Sequence, residues 1–271
     1  MSYTAADVKK LRDETDAPMM EYKAALEEAG GDFERAKEIL REKGKASAGK
    51  KAGRATNAGR VAIVLSEDGK TAGLALVESE TDFVSNNEGF VAATLDVAKA
   101  ALEGGTLSEE KKKELGDEII AKFRENCVVK IAEQVKTDGK FASYVHHDGS
   151  KGALIDSTGD NAGSDAVRKL AIQVVASTPQ VVSKEDLSQE LLDSEYNIQY
   201  TRAINEGKPA NIAENIAKGR VNKEFIKEAV LLEQPFYADP SKTVGQYIAE
   251  EAKGTTIVSF RLLAVGAGDA E

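Results

Sequence analysis

RVAIVLSEDGKTAGLALVESE (residues 60–80) decides the fold. Two apolar runs flank Asp68-Gly69, a dipeptide suited to the left-handed backbone of a tight hairpin turn. The second run, TAGLALVESE, alternates small or apolar residues with polar ones, as a half-buried strand does. A helical period follows in EGFVAATLDVAKAALEGG. The same order returns in GKFASYVHHDGSKGALIDSTG (139–159), a second hairpin, which leads into the helical DAVRKLAIQVVAST. Strand, turn, strand, helix therefore occurs twice. The repetition predicts an α+β fold with a core of two similar α+β subdomains built on small antiparallel sheets. Between the blocks, LSEEKKKELGDEIIAKFRENC reads as an amphipathic helix and VVKIAEQVK as a third strand of the first sheet.

Outward from these blocks the chain becomes helical. TAADVKKLRDET (4–15) offers Thr4 as N-cap, with Val8 and Leu11 on one face. PMMEYKAALEEAGG (18–31) opens with Pro18 in the first turn and stops at Gly30-Gly31. GDFERAKEILREKG (31–44) has Asp32 as N-cap, Phe33, Ala36, Ile39 and Leu40 on its apolar face, and Gly44 as its stop. Each helix is too short to stand alone, so residues 1–44 are expected to pack as a three-helix domain. Residues 45–60 fall in a basic, Gly- and Ala-rich stretch that reads as a linker or a loose helix. The first core subdomain is assigned to 61–139 and the second to 140–179 and 234–266. Residues 180–233 form an inserted antiparallel helical hairpin, with Leu187, Leu191, Ile198, Ile212, Ile216, Phe225 and Ile226 on its facing surfaces. TTIVSFRLLAVG (255–266) alternates like a strand that returns to the second sheet, and 267–271 are left as a tail.

Composition narrows the function. Of 271 residues, 41% are apolar and 30% charged, which predicts a folded rather than a disordered chain. The longest apolar runs, VAIVL and VLL, are too short to span a bilayer, and the N-terminus has no hydrophobic leader. The single cysteine, Cys127, leaves no internal disulfide and fits a reducing cytoplasm. A net charge of −10 argues against non-specific nucleic-acid binding by the whole surface. Neither a G-x-x-x-x-G-K-[ST] loop nor a G-x-G-x-x-G turn occurs, so direct nucleotide binding and cofactors are not expected. His146 and His147 are strand neighbours that point to opposite faces and so do not readily share a metal. Cys127 sits in the apolar CVV and reads as a buried structural thiol. No spacing pairs carboxylates for catalysis, so a non-enzymatic interaction protein is expected. Met19 and Met20 diverge by about 100° on a helix, so both cannot face a tiny core, and methionine suits adaptable binding surfaces.

ETDFVSNNEGF (80–90) places an acid and an aromatic where strand turns into helix. Phe90, Val91, Leu95, Val97 and Leu102 serve the core face of that helix, which leaves Phe83 free at the turn. Three ordered stretches, LRDETDAPMMEYKAALEEAGGDFERAKEILREKG, ETDFVSN and LLEQPFYADPSKTVGQYI, resemble the bacterial elongation factor Ts family, guanine-nucleotide exchange factors of elongation factor Tu. The resemblance runs over nearly the whole chain. It implies an N-terminal ubiquitin-associated-like domain, a core of two α+β subdomains and an inserted helical hairpin. It also implies a translation elongation factor that promotes GDP release without covalent chemistry, with elongation factor Tu as partner through its GTPase domain and a further domain.

By the same resemblance Thr81, Asp82, Phe83 and Val84 reach the GTPase and are linked to loss of its Mg²⁺. His146, in Y-V-H, joins that surface, and Val8, Lys9, Leu11, Arg12, Met19 and Met20 match the docking face of the helical domain. Asp82 has a second reading as a helix cap. The sequence departs from the family at Asp16-Ala17-Pro18, where glycines are usual, and at Glu78, where Asn is usual. The chain ends soon after FRLLAVG, so the extra C-terminal helix of some members is expected to be missing. A homodimer through the hairpin stays open. So do two other classes, a nucleic-acid-binding protein using the basic stretch and an adaptor for ubiquitin-like partners.

Overall fold

Both repeated blocks fold into the elements their periodicity predicts. The computed structural model describes residues 4, 8–9, 19–51 and 53–267. β1 (Ala58–Leu65) and β2 (Thr71–Ser79) form the first hairpin, and β3 (Cys127–Lys136) completes an antiparallel sheet in the order β1-β2-β3. β4 (Lys140–Val145) and β5 (Lys151–Gly159) form the second hairpin, and β6 (Thr255–Ala264) completes a sheet in the order β4-β5-β6. Gly69 and Gly149, each with φ 71°, supply the left-handed turn residue of the two hairpins. The likeness extends to irregularities. Register shifts interrupt β2 against β3 at Leu76/Val77 and β5 against β6 at Asp156/Ser157. The fold is α+β with small antiparallel sheets.

The two sheets pack against one another. Val61, Ala72, Leu74 and Leu76 of the first meet Phe141, Leu154 and Leu263 of the second in one buried cluster. Reciprocal backbone bonds close the edges. Phe141 N donates to Gly69 O (2.8 Å), and Val61 N donates to Gly149 O (2.8 Å). The opposite face of the first sheet is covered by α4 (Glu88–Gly104) and α5 (Glu109–Phe123), through Phe90, Val97, Ala98, Ile119 and Ile120. That of the second is covered by α6 (Asp165–Ser177) and α9 (Val244–Glu251). The result is helix, sheet, sheet, helix. β2 is therefore buried on both faces and not half-buried as its alternation predicts. Ala72, Leu74 and Leu76 face the other sheet, while Ala75 and Val77 face the helices. The small residues that mimic a polar alternation are those that let α4 approach closely.

The core face of α4 also differs from expectation. Leu95 is 38% exposed and Val91 and Leu102 are half-buried, whereas Phe90, Thr94, Val97, Ala98 and Ala101 are buried. Thr94 is accommodated because its hydroxyl donates to Phe90 O (3.0 Å).

α1 (Met19–Glu28) ends at Gly30 and Gly31, where Gly31 N reaches Leu26 O. Asp32 then caps α2 (Phe33–Lys51) by accepting from Arg35 N (2.9 Å). Tyr22, Ala25, Leu26, Ala36, Ile39 and Leu40 make their shared core. The expected stop at Gly44 is overturned, since α2 continues to Lys51 through most of the basic stretch and lies along α5. One glycine costs a helix only about 1 kcal/mol, and tertiary contact outweighs that. Glu21 pairs with Arg124, and the Lys51 ammonium donates to Arg124 O, which tie these helices to the end of α5.

α7 (Gln189–Asn205) and α8 (Ala210–Arg220) form the hairpin, turned by Gly207 at φ 78°. Its buried seam is Ala203, Ala213, Ala217 and Val221, so the helices meet through alanines. Ile198 (57% exposed) and Ile212 lie outside that seam, contrary to their predicted facing positions. Leu187 and Ile226 pack at the base, where Val181 pairs with Val230 and brings both ends of the hairpin together. The QPF segment is anchored inside. Gln173 Nε2 donates to Gln234 Oε1 (3.0 Å), and Tyr237 N donates to Gln173 Oε1 (2.8 Å). Among the described residues no helix is long and apolar enough to cross a membrane.

Candidate functional site

β2 ends at Ser79, and the chain must turn before α4 begins. Thr81 is extended (φ −127°, ψ 157°), and its hydroxyl accepts from Val84 N (3.4 Å), capping the single-turn helix α3 (Asp82–Ser85). The same Thr81 hydroxyl donates to Glu125 Oε1 (2.8 Å), and Thr81 N donates to Glu125 Oε2 (3.0 Å). Asn126 N donates to Glu80 Oε1 (2.6 Å), and Arg54 pairs with the same carboxylate (3.5 Å). Glu78, the departure noted above, is buried and accepts from the Thr56 hydroxyl (2.6 Å). Three segments thus converge on the turn: Arg54–Thr56, Glu78–Thr81 and Glu125–Asn126. Asn87 starts α4 by accepting from Gly89 N (2.8 Å).

Within α3 successive residues rotate by about 100°, so one turn has an inner and an outer side. Val84 packs on the core and Ser85 is buried, which aims Asp82 and Phe83 outward. Phe83 is 86% exposed, a large aromatic held in water by a braced turn. That is an arrangement folding alone does not favour, since exposed apolar area gains nothing from the hydrophobic effect. The capping role open to Asp82 belongs to Thr81 at α3 and to Asn87 at α4.

His146 follows β4 in the second hairpin. It is half-buried, and its Nδ1 lies 3.0 Å from the Tyr144 hydroxyl. The exposed His147 ring packs edge-on against it at 4.3 Å, contrary to the opposite faces expected of strand neighbours, because β4 ends at Val145 and both residues lie in the turn beyond it. The Ser150 backbone N–H (2.9 Å) holds the Asp148 carboxyl below the usual carboxylate range. Tyr144, His146, Asp148 and Lys151 border a cleft against Ile172 and Val175 of α6. The Phe83 turn and the His146 turn are joined by Arg60, whose side chain touches both. Arg60 and Glu125 carry no motif signal and Gly149 only that of a turn, and sequence reasoning missed all three as site residues. Only tertiary contact singles them out, Arg60 and Gly149 where one hairpin turn lies on β1 and Glu125 where it meets Thr81.

The helical-domain candidates are spread differently. Val8 is half-buried against the α1–α2 core, Lys9 is exposed, and Met20 is 75% exposed. Met19 begins α1, while Leu11 and Arg12 lie outside the described residues. Cys127 is buried, and burial pushes its thiol up to about 12. Among the described residues no group of three or more His, Cys, Asp or Glu could hold a metal ion.

The sequence profile of the family described as Elongation factor TS matches residues 80–267, starting at the turn that carries Phe83. A protein of Nitratidesulfovibrio vulgaris (strain DP4) named elongation factor Ts is 41% identical over 262 residues, covering 93% of this chain and 91% of its own. One of Thiobacillus denitrificans with the same name is 39% identical, covering 98% and 92%. One of Aquifex aeolicus is 38% identical, covering 96% and 97%. Similarity at this level, spanning both sheets, the hairpin and the exposed turn, shows that the chain belongs to the elongation factor Ts family and acts as a translation elongation factor.

Proposed function

We propose that the protein binds elongation factor Tu in the cytoplasm and promotes GDP release by disturbing its Mg²⁺ and phosphate site, with no covalent chemistry of its own. The observation that carries this reading is Phe83, 86% exposed on a turn braced from three segments. Mg²⁺ demands near-ideal octahedral oxygen geometry, so a small displacement of its surroundings weakens it. An exchange factor must bind the nucleotide-free partner better than the nucleotide-bound one, since equal affinity shifts nothing. By reciprocity the nucleotide weakens the factor by the same ratio.

Magnitudes divide the labour. Burying one Phe contributes roughly 1.5–3 kcal/mol, whereas a thousandfold loss of nucleotide affinity needs about 4 kcal/mol. Phe83 therefore directs the distortion, with Asp82 beside it at the metal surroundings, while Thr81 and Val84 hold the turn in place. The rest of the energy comes from the N-terminal helical domain (residues 1–44), through Lys9, Met20 and the neighbouring Val8, Leu11, Arg12 and Met19, and from the second subdomain around His146. The partner is engaged through its GTPase domain, on which the helical domain docks, and through a further domain. Residues 45–60 connect the helical domain to the core subdomains, 61–139 and 140–179 with 234–266, and 180–233 is the inserted hairpin. Release of fluorescent GDP from elongation factor Tu tests the reading: acceleration by the wild type is expected, and none would overturn it. Exposed Ile198 and Ile212 support a second, independent property, a homodimer through the hairpin. Light scattering at two concentrations tests it, and a monomer mass at both would end it.

A further inference from the structure

We propose that Arg60 is a positioning residue that couples the Phe83 turn to the His146 turn, so that the two respond to a partner as one unit. The inference rests on the exchange reading. β1 runs between the turns, and its third and fourth residues, Arg60 and Val61, serve both. Arg60 Nε donates to Ser85 O (2.7 Å), at the last residue of α3, and Nη2 donates to Asn86 Oδ1 (3.2 Å). Carbonyls at a helix end lack intrahelical partners, so a guanidinium there satisfies an orphan acceptor and suits the negative end of the helix.

On the other side the same guanidinium lies on Gly149. A Cβ placed at Gly149 would sit 2.7 Å from Arg60 Nη1 and 3.0 Å from Cζ, so a side chain there would push the guanidinium aside. The next residue, Val61, donates its N–H to Gly149 O (2.8 Å). Gly149 N in turn donates to His146 O (2.8 Å), closing the His146 turn. One side chain and one adjacent backbone group therefore hold both turns.

The internal repeat supplies a control. Lys140 occupies the place in β4 that Arg60 holds in β1, beside Phe141 as Arg60 is beside Val61. It also lies against the turn glycine of the other hairpin, but a Cβ at Gly69 would be 3.9 Å from Lys140, ordinary contact. The tight guanidinium contact belongs to the half that carries the exposed aromatic. A planar fork that bonds a carbonyl and an amide while stacking on backbone is a task an ammonium does not reproduce.

The test uses the full-length protein as Arg60→Met, which keeps the apolar stem, and Arg60→Lys, which keeps the charge. In GDP release from elongation factor Tu, both variants are expected to lower the maximal rate about tenfold, with half-saturating concentration changed less than about twofold. A purely structural role would instead lower the melting temperature and raise the half-saturating concentration with it. In the free protein, hydrogen exchange at the Asn86 and Gly149 amides is expected to rise together in Arg60→Met. A maximal rate equal to the wild type, restoration by lysine, or faster exchange at only one turn would overturn the coupling. Should the wild type itself fail to accelerate GDP release, the exchange reading falls, and the amide exchange still decides whether Arg60 joins the turns.

Discussion

Glu125 holds Thr81 by both carboxylate oxygens, Oε2 accepting from the backbone N–H (3.0 Å) and Oε1 from the hydroxyl (2.8 Å). A residue two places past the end of α5 thereby fixes the residue that caps α3. Glu125→Ala leaves two part-buried donors without this acceptor and is expected to cost about 1–3 kcal/mol in urea unfolding. Glu125→Gln keeps one acceptor and should recover part of that loss. Unchanged unfolding midpoints in both variants would refute the clamp.

Phe83→Ala separates folding from function. Because Phe83 is 86% exposed, unfolding free energy is expected to change by less than about 0.5 kcal/mol. Loss of its burial on the partner, roughly 1.5–3 kcal/mol, corresponds to a roughly ten- to hundredfold slower GDP release. Phe90→Ala is the contrast, a fully buried ring whose removal should cost about 3–5 kcal/mol of stability. Calorimetry and GDP release on the same two variants check both halves.

Burial is the main cause that raises the Cys127 thiol from 9.0 to about 12, with Glu125 and Glu80 adding to it. A thiol whose folded value lies above its unfolded value contributes stability that is complete below the unfolded value. That stability is lost as pH rises from about 9 towards 12, because only the unfolded chain then ionises. Cys127→Ala should flatten the decline of stability across that window. At pH 8 the native thiol is expected to resist a disulfide reagent until denaturant is added, and rapid native labelling would contradict it.

Gly73 measures how closely α4 lies on β2. A Cβ there would stand 2.0 Å from Ala98 O and 2.7 Å from Leu102 N, both backbone atoms that cannot swing aside. Gly73→Ala is expected to destabilise by about 1–3 kcal/mol or more, the range for forced overpacking. Chemical unfolding gives the value, and a neutral substitution would mean that helix and strand separate freely.

Much of this arrangement is legible along the chain. Asp68-Gly69 marks the first hairpin, the repeated strand pattern the second, and the 3.6-residue period marks α4, α5 and α6. Asp32 and Gly30-Gly31 punctuate α1 and α2, since caps are written in the residue types that can make them. The candidate turn was visible as an acid and an aromatic at a strand's end, and its exposure followed from the better fit of Phe90 and Val97 to the core. Other features were not legible. Gly44 resembles a stop, yet α2 passes through it along α5. Ile198 and Ile212 resemble a seam, yet Ala203, Ala213 and Ala217 occupy it, because close helix approach selects small residues.

By itself the sequence determined most of the elements, their duplicated order, the family resemblance and an aromatic, Phe83, left without a core position. These depend on local periodicity and residue chemistry, which neighbours in the chain carry. Tertiary structure alone decided that β2 is covered on both faces, that Glu125 clamps Thr81, and that Arg60 lies between Ser85 and Gly149. Those relations join residues 25 to 89 positions apart, where the packing of one sheet on another sets the distance and the chain between leaves no mark of it.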